Sequence, residues 1–384
     1  MKKICVVTGS RADYGLLKNI LKEINRSSSL NLQLLVTGAH LSENFGYTKK
    51  AIDEDGFQVM ATVDMLLNSD TPEGIMKSMG AGLIGFADAL RKLEPDLVLI
   101  VGDRYEILVA ASAALIAAVP IAHVHGGEIT QGSYDDSIRH SVTKMANLHF
   151  VATEQYKKRV IQMGEHPNTV FNVGGLGVDL ISSTRILSKK EIEKTLRFQL
   201  SERNLLITFH PVTRSDEPDI CQLDQLLISL QELTNTSLLF TMPNADNNNQ
   251  LFTERIIEFC STRAYAKFFS ALGQQLYFSC LKNFDGVVGN SSSGILEAPS
   301  FQQGTINIGD RQNGRLMASS VINCKATAPE ITTSLEKLFS KDFRNSLKNT
   351  VSPYGKSGAS KRIVNILKKT DLRTCLKKEF FDLK

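Results

Sequence analysis

Three passages in the first part of this chain concentrate groups that move protons. Asp103 stands in Gly102-Asp103-Arg104-Tyr105-Glu106, and His125 and Glu128 in His123-Val124-His125-Gly126-Gly127-Glu128. Asp135 opens Asp135-Asp136-Ser137-Ile138-Arg139-His140. Carboxylates and imidazoles gathered this way suit general acid–base catalysis. Plainer roles compete for some of them. Asp103 could cap the helix that runs through Ala110 to Ala118, Asp136 could cap the helix that follows it, and His123 lies in an apolar run where a satisfied core histidine is ordinary. Metal binding is the rival chemistry, but the sequence has no HExxH, no paired cysteines and no facial-triad spacing, so the reading requires neither a metal nor another cofactor.

Other passages suit anions. Thr8-Gly9-Ser10-Arg11-Ala12-Asp13-Tyr14-Gly15 follows an apolar run and opens a helix through Leu16, Leu17, Ile20, Leu21 and Ile24. Glycine there admits close backbone approach, and Arg11 offers a planar fork for an oxyanion; the spacing is not GxGxxG, which disfavours a dinucleotide. The alternative is a tight turn with a solvated arginine. Further on, His210 ends one apolar run and Asn244 follows another, in Met242-Pro243-Asn244. Asn290-Ser291-Ser292-Ser293-Gly294 reads as a diphosphate cradle, and Glu297 is expected on the first turns of the next helix, facing ribose hydroxyls or complementing the helix dipole. Arg311 and Arg315, in Gly309-Asp310-Arg311-Gln312-Asn313-Gly314-Arg315, suit charge pairing with phosphate.

The elements that must position these groups are legible as apolar, β-branched runs between helical patterns. Ile4 to Thr8, Leu32 to Thr37, Leu97 to Gly102, Ile121 to Val124 and Val170 to Val173 form a first set. Leu205 to Phe209, Leu238 to Met242, Phe284 to Gly289 and Gly304 to Ile308 form a second. Strands apolar throughout are covered on both faces, which predicts parallel sheets wrapped by helices. At roughly 100 to 200 residues per domain, 384 residues predict two α/β domains. After Pro353-Tyr354-Gly355 comes an amphipathic surface helix carrying Ile363, Val364, Ile366 and Leu367.

Composition excludes several classes. Hydrophobic residues make up 42% and charged residues 22%, ordinary for a soluble globular protein. The net charge is +4 from 44 basic and 40 acidic residues without a basic stripe, so nucleic acid is not an expected partner. No run approaches the roughly 18 apolar residues of a membrane span. The six widely spaced cysteines, Cys5, Cys221, Cys260, Cys280, Cys324 and Cys375, read as buried thiols in a reducing cytoplasm. The N-terminus reads as a first strand, too short in its apolar run for a signal peptide.

In their order along the chain, these motifs resemble the hydrolysing UDP-N-acetylglucosamine 2-epimerases of bacterial sialic acid synthesis. The resemblance covers nearly the whole sequence, down to Pro353-Tyr354-Gly355. It implies a fold of the glycosyltransferase-B type, with two Rossmann-like domains facing a cleft. Residues 1–177, with 355–384 crossing back, would form the catalytic domain, and 178–354 the UDP-binding domain. Matched motif by motif, Arg11, His40, Asp103, Arg104, Glu128 and Asp135 would serve the sugar. His210, Asn244, Ser291, Ser292, Glu297 and Arg311 would hold the nucleotide. Some members carry an acidic residue where this chain has His125, so a second proton is left to Glu128, His125 or Asp135. The family usually forms homodimers or tetramers.

The implied reaction begins with loss of UDP from C1, which makes the C2 hydrogen acidic. Its removal leaves a 2-acetamidoglucal, and water then adds with a proton delivered to the opposite face. UDP-N-acetylglucosamine would give N-acetylmannosamine and UDP. The rivals are a non-hydrolysing epimerase, a hydrolysing enzyme for a UDP-diacetamido-trideoxyhexose of legionaminic acid synthesis, a glycosyltransferase, and a nucleotide-sugar-binding protein without turnover.

Overall fold

A computed structural model describes residues 1–43, 47–67, 71–130, 134–211, 219–241 and 249–383. The chain forms two units. Unit 1 comprises Met1–Ile129, Ser133–Leu180 and Tyr354–Lys384; unit 2 comprises Thr130–Gly132 and Ile181–Pro353.

Unit 1 is a seven-stranded sheet of β1 (Lys2–Thr8), β2 (Leu30–Thr37), β3 (Val59–Val63), β4 (Leu97–Val101), β5 (Ile121–Val124), β6 (Leu148–Val151) and β7 (Val170–Asn172). Its order is β3-β2-β1-β4-β5-β6-β7, parallel throughout. Unit 2 has β8 (Arg203–Thr208), β9 (Thr236–Thr241), β10 (Ala266–Phe269), β11 (Gly286–Gly289), β12 (Thr305–Ile308) and β13 (Val321–Cys324). These run β10-β9-β8-β11-β12-β13, again parallel. In both sheets the order turns back beside the first strand, so the loops after β1 and β4, and after β8 and β11, flank a topological switch point.

The first helix shows how sequence produces this packing. Ser10 caps the helix Arg11–Asn25 by accepting from the Asp13 N–H, and Tyr14, Leu17, Ile20, Leu21 and Ile24 recur at helical spacing on its buried face. That face shares a core with Ile4, Val6, Leu34 and Leu99 from the sheet and with Ile363, Val364 and Leu367 from the helix Ala359–Lys369.

The last segment of the chain is thus built into unit 1. Asp179 accepts from the backbone N–H groups of Gly358, Ala359 (2.8 Å) and Ser360 (2.6 Å), supplying the start of that helix with acceptors. Lys2 donates to the carbonyls of Leu367, Lys368 and Thr370 at the helix's other end. Farther along, Asn147 donates to the Cys375 carbonyl and Lys378 to that of Ala146.

Four strands carry no clear sequence signal. Strands β3, β10 and β13 are edge strands with partly exposed, mixed runs such as Ala266-Lys267-Phe268-Phe269. The buried strand β6 is only four residues long and contains His149, whose Nε2 lies 2.9 Å from Glu165. The cysteine expectation needs correction: all six thiols are free, but only Cys5 and Cys280 are buried and Cys221 is exposed. Among the described residues no helix is long and apolar enough to cross a membrane.

Candidate active site

Unit 1 places its titratable groups at the carboxyl ends of β4 and β5 and on the helix Tyr134–Met145. Asp103 does not cap the helix after β4: that helix, Tyr105–Ile116, begins from Arg104 with no side-chain cap. Instead Arg139, 4% exposed, donates through Nη2 to Asp103 Oδ2 and through Nη1 to Asp136 Oδ1 at 3.2 Å. Asp136 lies within the helix's first turn, and His140 Nε2 is 3.4 Å from its other oxygen.

Burial pushes the Asp103 carboxyl above its ordinary range. Arg139 opposes this, while the negative charges of Asp135 and Glu128 reinforce it. Asp103, Glu128 and Asp135 are therefore one electrostatic cluster, with Arg139 as its buried cation. A carboxyl moved toward neutrality beside other carboxylates is suited to taking or giving a proton at a carbon centre.

His123 and His40 have structural duties. His123 is fully buried, its Nε2 2.8 Å from the Gly102 carbonyl and its Nδ1 3.1 Å from Thr143 Oγ1, which makes it a brace beneath Asp103. His40 is fully buried between Thr8 (3.0 Å) and Thr48 (2.7 Å) and ties together the loops after β1 and β2. Arg104 lies over Glu106, with contacts of 3.2 and 3.4 Å. Arg11 is exposed at the head of the first helix.

Sequence reasoning passed over Asp13. Burial raises its carboxyl to about 6, against the Ser10 hydrogen bond and the charge of Arg104, and Oδ2 is buried without a hydrogen-bond partner among the described residues. Its place in the same motif as Arg11, three residues after the capping serine, was the available signal.

Unit 2 carries a pocket of about 360 Å³ lined by Thr208, His210, Tyr277, Ser291, Ser292 and Arg311, with residues 270–274 at the start of the helix Gly273–Asn283. His210, Ser291 with Ser292, and Arg311 follow β8, β11 and β12, so three loops at one edge of the sheet bring them together. Asn290 ties two of these loops: its Oδ1 accepts from the His210 N–H (2.7 Å) and its Nδ2 donates to the His210 carbonyl (2.9 Å). Arg311 and Gln312 both donate to the Asn290 carbonyl, at 3.2 and 2.8 Å.

Gly289 permits the close approach. A Cβ there would sit 2.0 Å from the Thr208 carbonyl oxygen, and φ is +136°. Burial, aided by the charge of Arg311, lowers His210 to about 3, so it enters the pocket as a neutral imidazole. Hydroxyls, a neutral imidazole and one guanidinium make an anion site with little net charge.

Glu297 is not on the first turns of a helix. The helix after the serines is four residues long, Ser293–Leu296, and Glu297 follows it and leads into a 3-10 turn at Ala298–Phe301, because Pro299 ends the regular pattern. Glu297 is not among the pocket's lining residues. Asn244 lies outside the described residues.

Two parallel α/β units, each with its polar groups at a switch point, define a protein of the glycosyltransferase-B fold type. Solved structures agree. UDP-GlcNAc 2-epimerase from Neisseria meningitidis bound to UDP-GlcNAc superposes with a TM-score of 0.75 at 18% identity, covering 96% of this chain and 100% of that one. The Staphylococcus aureus MnaA–UDP structure does so at 0.77 and 17%, covering 96% of each chain.

The profile of the UDP-N-acetylglucosamine 2-epimerase family matches residues 22–368. Over the full chain and 99% of its partner, the sequence is 42% identical to a GDP/UDP-N,N'-diacetylbacillosamine 2-epimerase (hydrolysing) of Campylobacter jejuni. It is 37% identical to the polysialic acid biosynthesis protein P7 of Escherichia coli over 96% of this chain and 94% of that protein. It is 34% identical to a UDP-N,N'-diacetylbacillosamine 2-epimerase (hydrolysing) of Legionella pneumophila over 97% of each. The chain belongs to the family of hydrolysing UDP-sugar 2-epimerases.

Proposed function

We propose that this enzyme converts a UDP-linked 2-acetamido sugar and water into UDP and the free sugar inverted at C2. The observation that carries this reading is Asp103, paired with the buried Arg139 and within the fields of Asp135 and Glu128, which gathers three carboxyl groups where a carbon-bound proton must be removed and another returned.

In the first half-reaction the C1–O bond breaks and its electron pair leaves with the UDP diphosphate. Ser291, Ser292 and Arg311 stabilise the developing charge in the unit 2 pocket, with His210 beside them. The positive character left at C1 acidifies the C2 hydrogen. Asp103 takes that proton, and the C–H electron pair closes the C1=C2 bond of a 2-acetamidoglucal. In the second half-reaction C2 receives a proton on the opposite face from the 125–135 passage and water adds its oxygen to C1; the proton that water gives up restores the donor, and Asp103 returns its own to solvent. Arg11 and Arg104 bind on the sugar side in this scheme, and no cofactor takes part.

For the sugar, UDP-N-acetylglucosamine is the first reading, with N-acetylmannosamine as product. The 42% identity to the Campylobacter enzyme supports a second: UDP-N,N'-diacetylbacillosamine, which shares the leaving group and the C2 acetamido group. The chemistry above serves either, in a homo-oligomer working in the cytoplasm.

The test is proton NMR in deuterated water with each UDP-sugar in turn. Free UDP together with a C2-deuterated, C2-inverted sugar is expected, and the ratio of kcat/KM values identifies the substrate. Return of an intact, epimerised UDP-sugar would overturn the hydrolytic reading.

A further inference from the structure

The loop after β5 is held more tightly than a surface loop needs to be, and the restraints converge on one side chain. His125 has a left-handed backbone, with φ of +69°, and its N–H donates to the Phe150 carbonyl at 2.9 Å. A Cβ on Gly126 would stand 2.9 Å from Thr143 Oγ1, and one on Gly127 2.7 Å from the Tyr156 carbonyl oxygen. The Gly127 carbonyl accepts from Arg159, whose guanidinium also lies over the Tyr156 ring. The stretch leading to Glu128 therefore has little room to shift.

Both imidazole nitrogens of His125 are engaged. Nδ1 is 3.2 Å from Glu128 Oε1, and Nε2 is 3.4 Å from the backbone nitrogen of Leu176. The partners fix the tautomer. A backbone N–H can only donate, so Nε2 accepts and carries no proton; the carboxylate accepts, so the proton sits on Nδ1. Leu176 is the first residue of the helix Leu176–Ser183, whose leading N–H groups have no partner within the helix. The preceding Gly175 N–H is bound to the Tyr354 carbonyl at 2.9 Å, which holds this donor in place.

We infer that His125 is a positioning residue: it orients the Glu128 carboxylate through Nδ1–H, and Glu128, not His125, exchanges the second proton with the sugar. An imidazole working as acid or base beside a carboxylate needs a free Nε2 facing the substrate. Here the Leu176 N–H occupies that nitrogen. This inference rests on the proposed 2-epimerase reading and sharpens it.

The side-chain amide of asparagine places its N–H where Nδ1 lies, whereas that of glutamine reaches the position of Nε2. His125→Asn is therefore expected to keep kcat within about 5-fold and His125→Gln to lose about 10²-fold, with UDP affinity unchanged in both. The double variant His125→Gln/Glu128→Gln is expected to be no slower than Glu128→Gln alone. Equal losses in the Asn and Gln variants, or losses that multiply in the double variant, would overturn the inference.

Nitrogen-15 NMR of the imidazoles, with His125 assigned by its absence in His125→Asn, is expected to show the Nδ1–H tautomer at neutral pH. An Nε2–H tautomer or a charged ring would overturn it. This second measurement reads the wild-type chain, so it decides the matter even where His125→Gln does not fold. Absence of turnover with every UDP-sugar would defeat the proposed function while leaving the tautomer result standing.

Discussion

Arg139 and Asp103 are 36 residues apart and belong to different elements, yet the guanidinium of one closes directly on the carboxylate of the other. The arginine is almost wholly buried and holds Asp136 with its other nitrogen, so a single cation fixes both a candidate proton-transfer group and the first turn of the helix after β5. Breaking such a pair from one side leaves an uncompensated buried charge.

Asp103→Asn keeps the shape of the site and removes its basicity. The kcat for UDP release is expected to fall by about 10² to 10⁴-fold, with UDP affinity by calorimetry unchanged. A variant at full rate would remove Asp103 from the reaction.

Replacing Arg139 by Met takes away the charge that opposes the upward shift of Asp103. The Asp103 carboxyl then titrates at higher pH, so the acidic limb of the kcat profile should move in the alkaline direction. The same substitution is expected to cost about 3 kcal/mol of stability, measurable by chemical denaturation. An unmoved limb would disconnect Asp103 from that profile.

Three buried histidines make the fold acid-sensitive before its carboxylates are titrated. Burial lowers His40 to about 4, and His123 and His210 to about 3, from an unperturbed 6.5. The unfolded chain therefore binds more protons below pH 6.5, and stability is complete above that value and declines as pH falls toward 4. Each withheld proton contributes a slope of about 1.4 kcal/mol per pH unit. Denaturation midpoints across this range should show it, and His123→Asn should flatten the curve.

At Gly289 the prediction is steric. Gly289→Ala forces a methyl group against the Thr208 carbonyl and is expected to abolish UDP binding through collapse of the loops carrying His210 and Ser291. Asp103 and Arg139 belong to the other unit, so amide exchange around them should stay as in the parent chain. Retained UDP affinity would show that the β8–β11 contact can relax.

The sequence conveyed the paired α/β units and most of the polar passages because buried parallel strands read as apolar runs and each polar loop follows one of them. It conveyed less where a residue's partner is distant in sequence. Asp103 looked equally like a cap until Arg139 was seen beside it, and Asn290 looked like one more polar residue in a serine run, although its side chain joins two loops. Glu297 falls outside the helix because Pro299 cuts it short. Edge strands such as Val59–Val63 escaped because they are short and not covered on both faces: Met60 and Thr62 are exposed, so the run lacks the length and full burial that mark the central strands.

The insertion of unit 2 within unit 1 has a consequence for how the protein is made. During synthesis the residues of β1 to β7 leave the ribosome first, but Lys2 and Asp179 then wait for partners some 180 to 370 residues later in the chain. Apart from Thr130–Gly132, unit 2 runs unbroken from Ile181 to Pro353 and can close as it emerges, whereas unit 1 is completed only when translation is nearly over. Nascent chains halted before residue 359 are thus expected to display a finished unit 2 pocket while unit 1 is still incomplete.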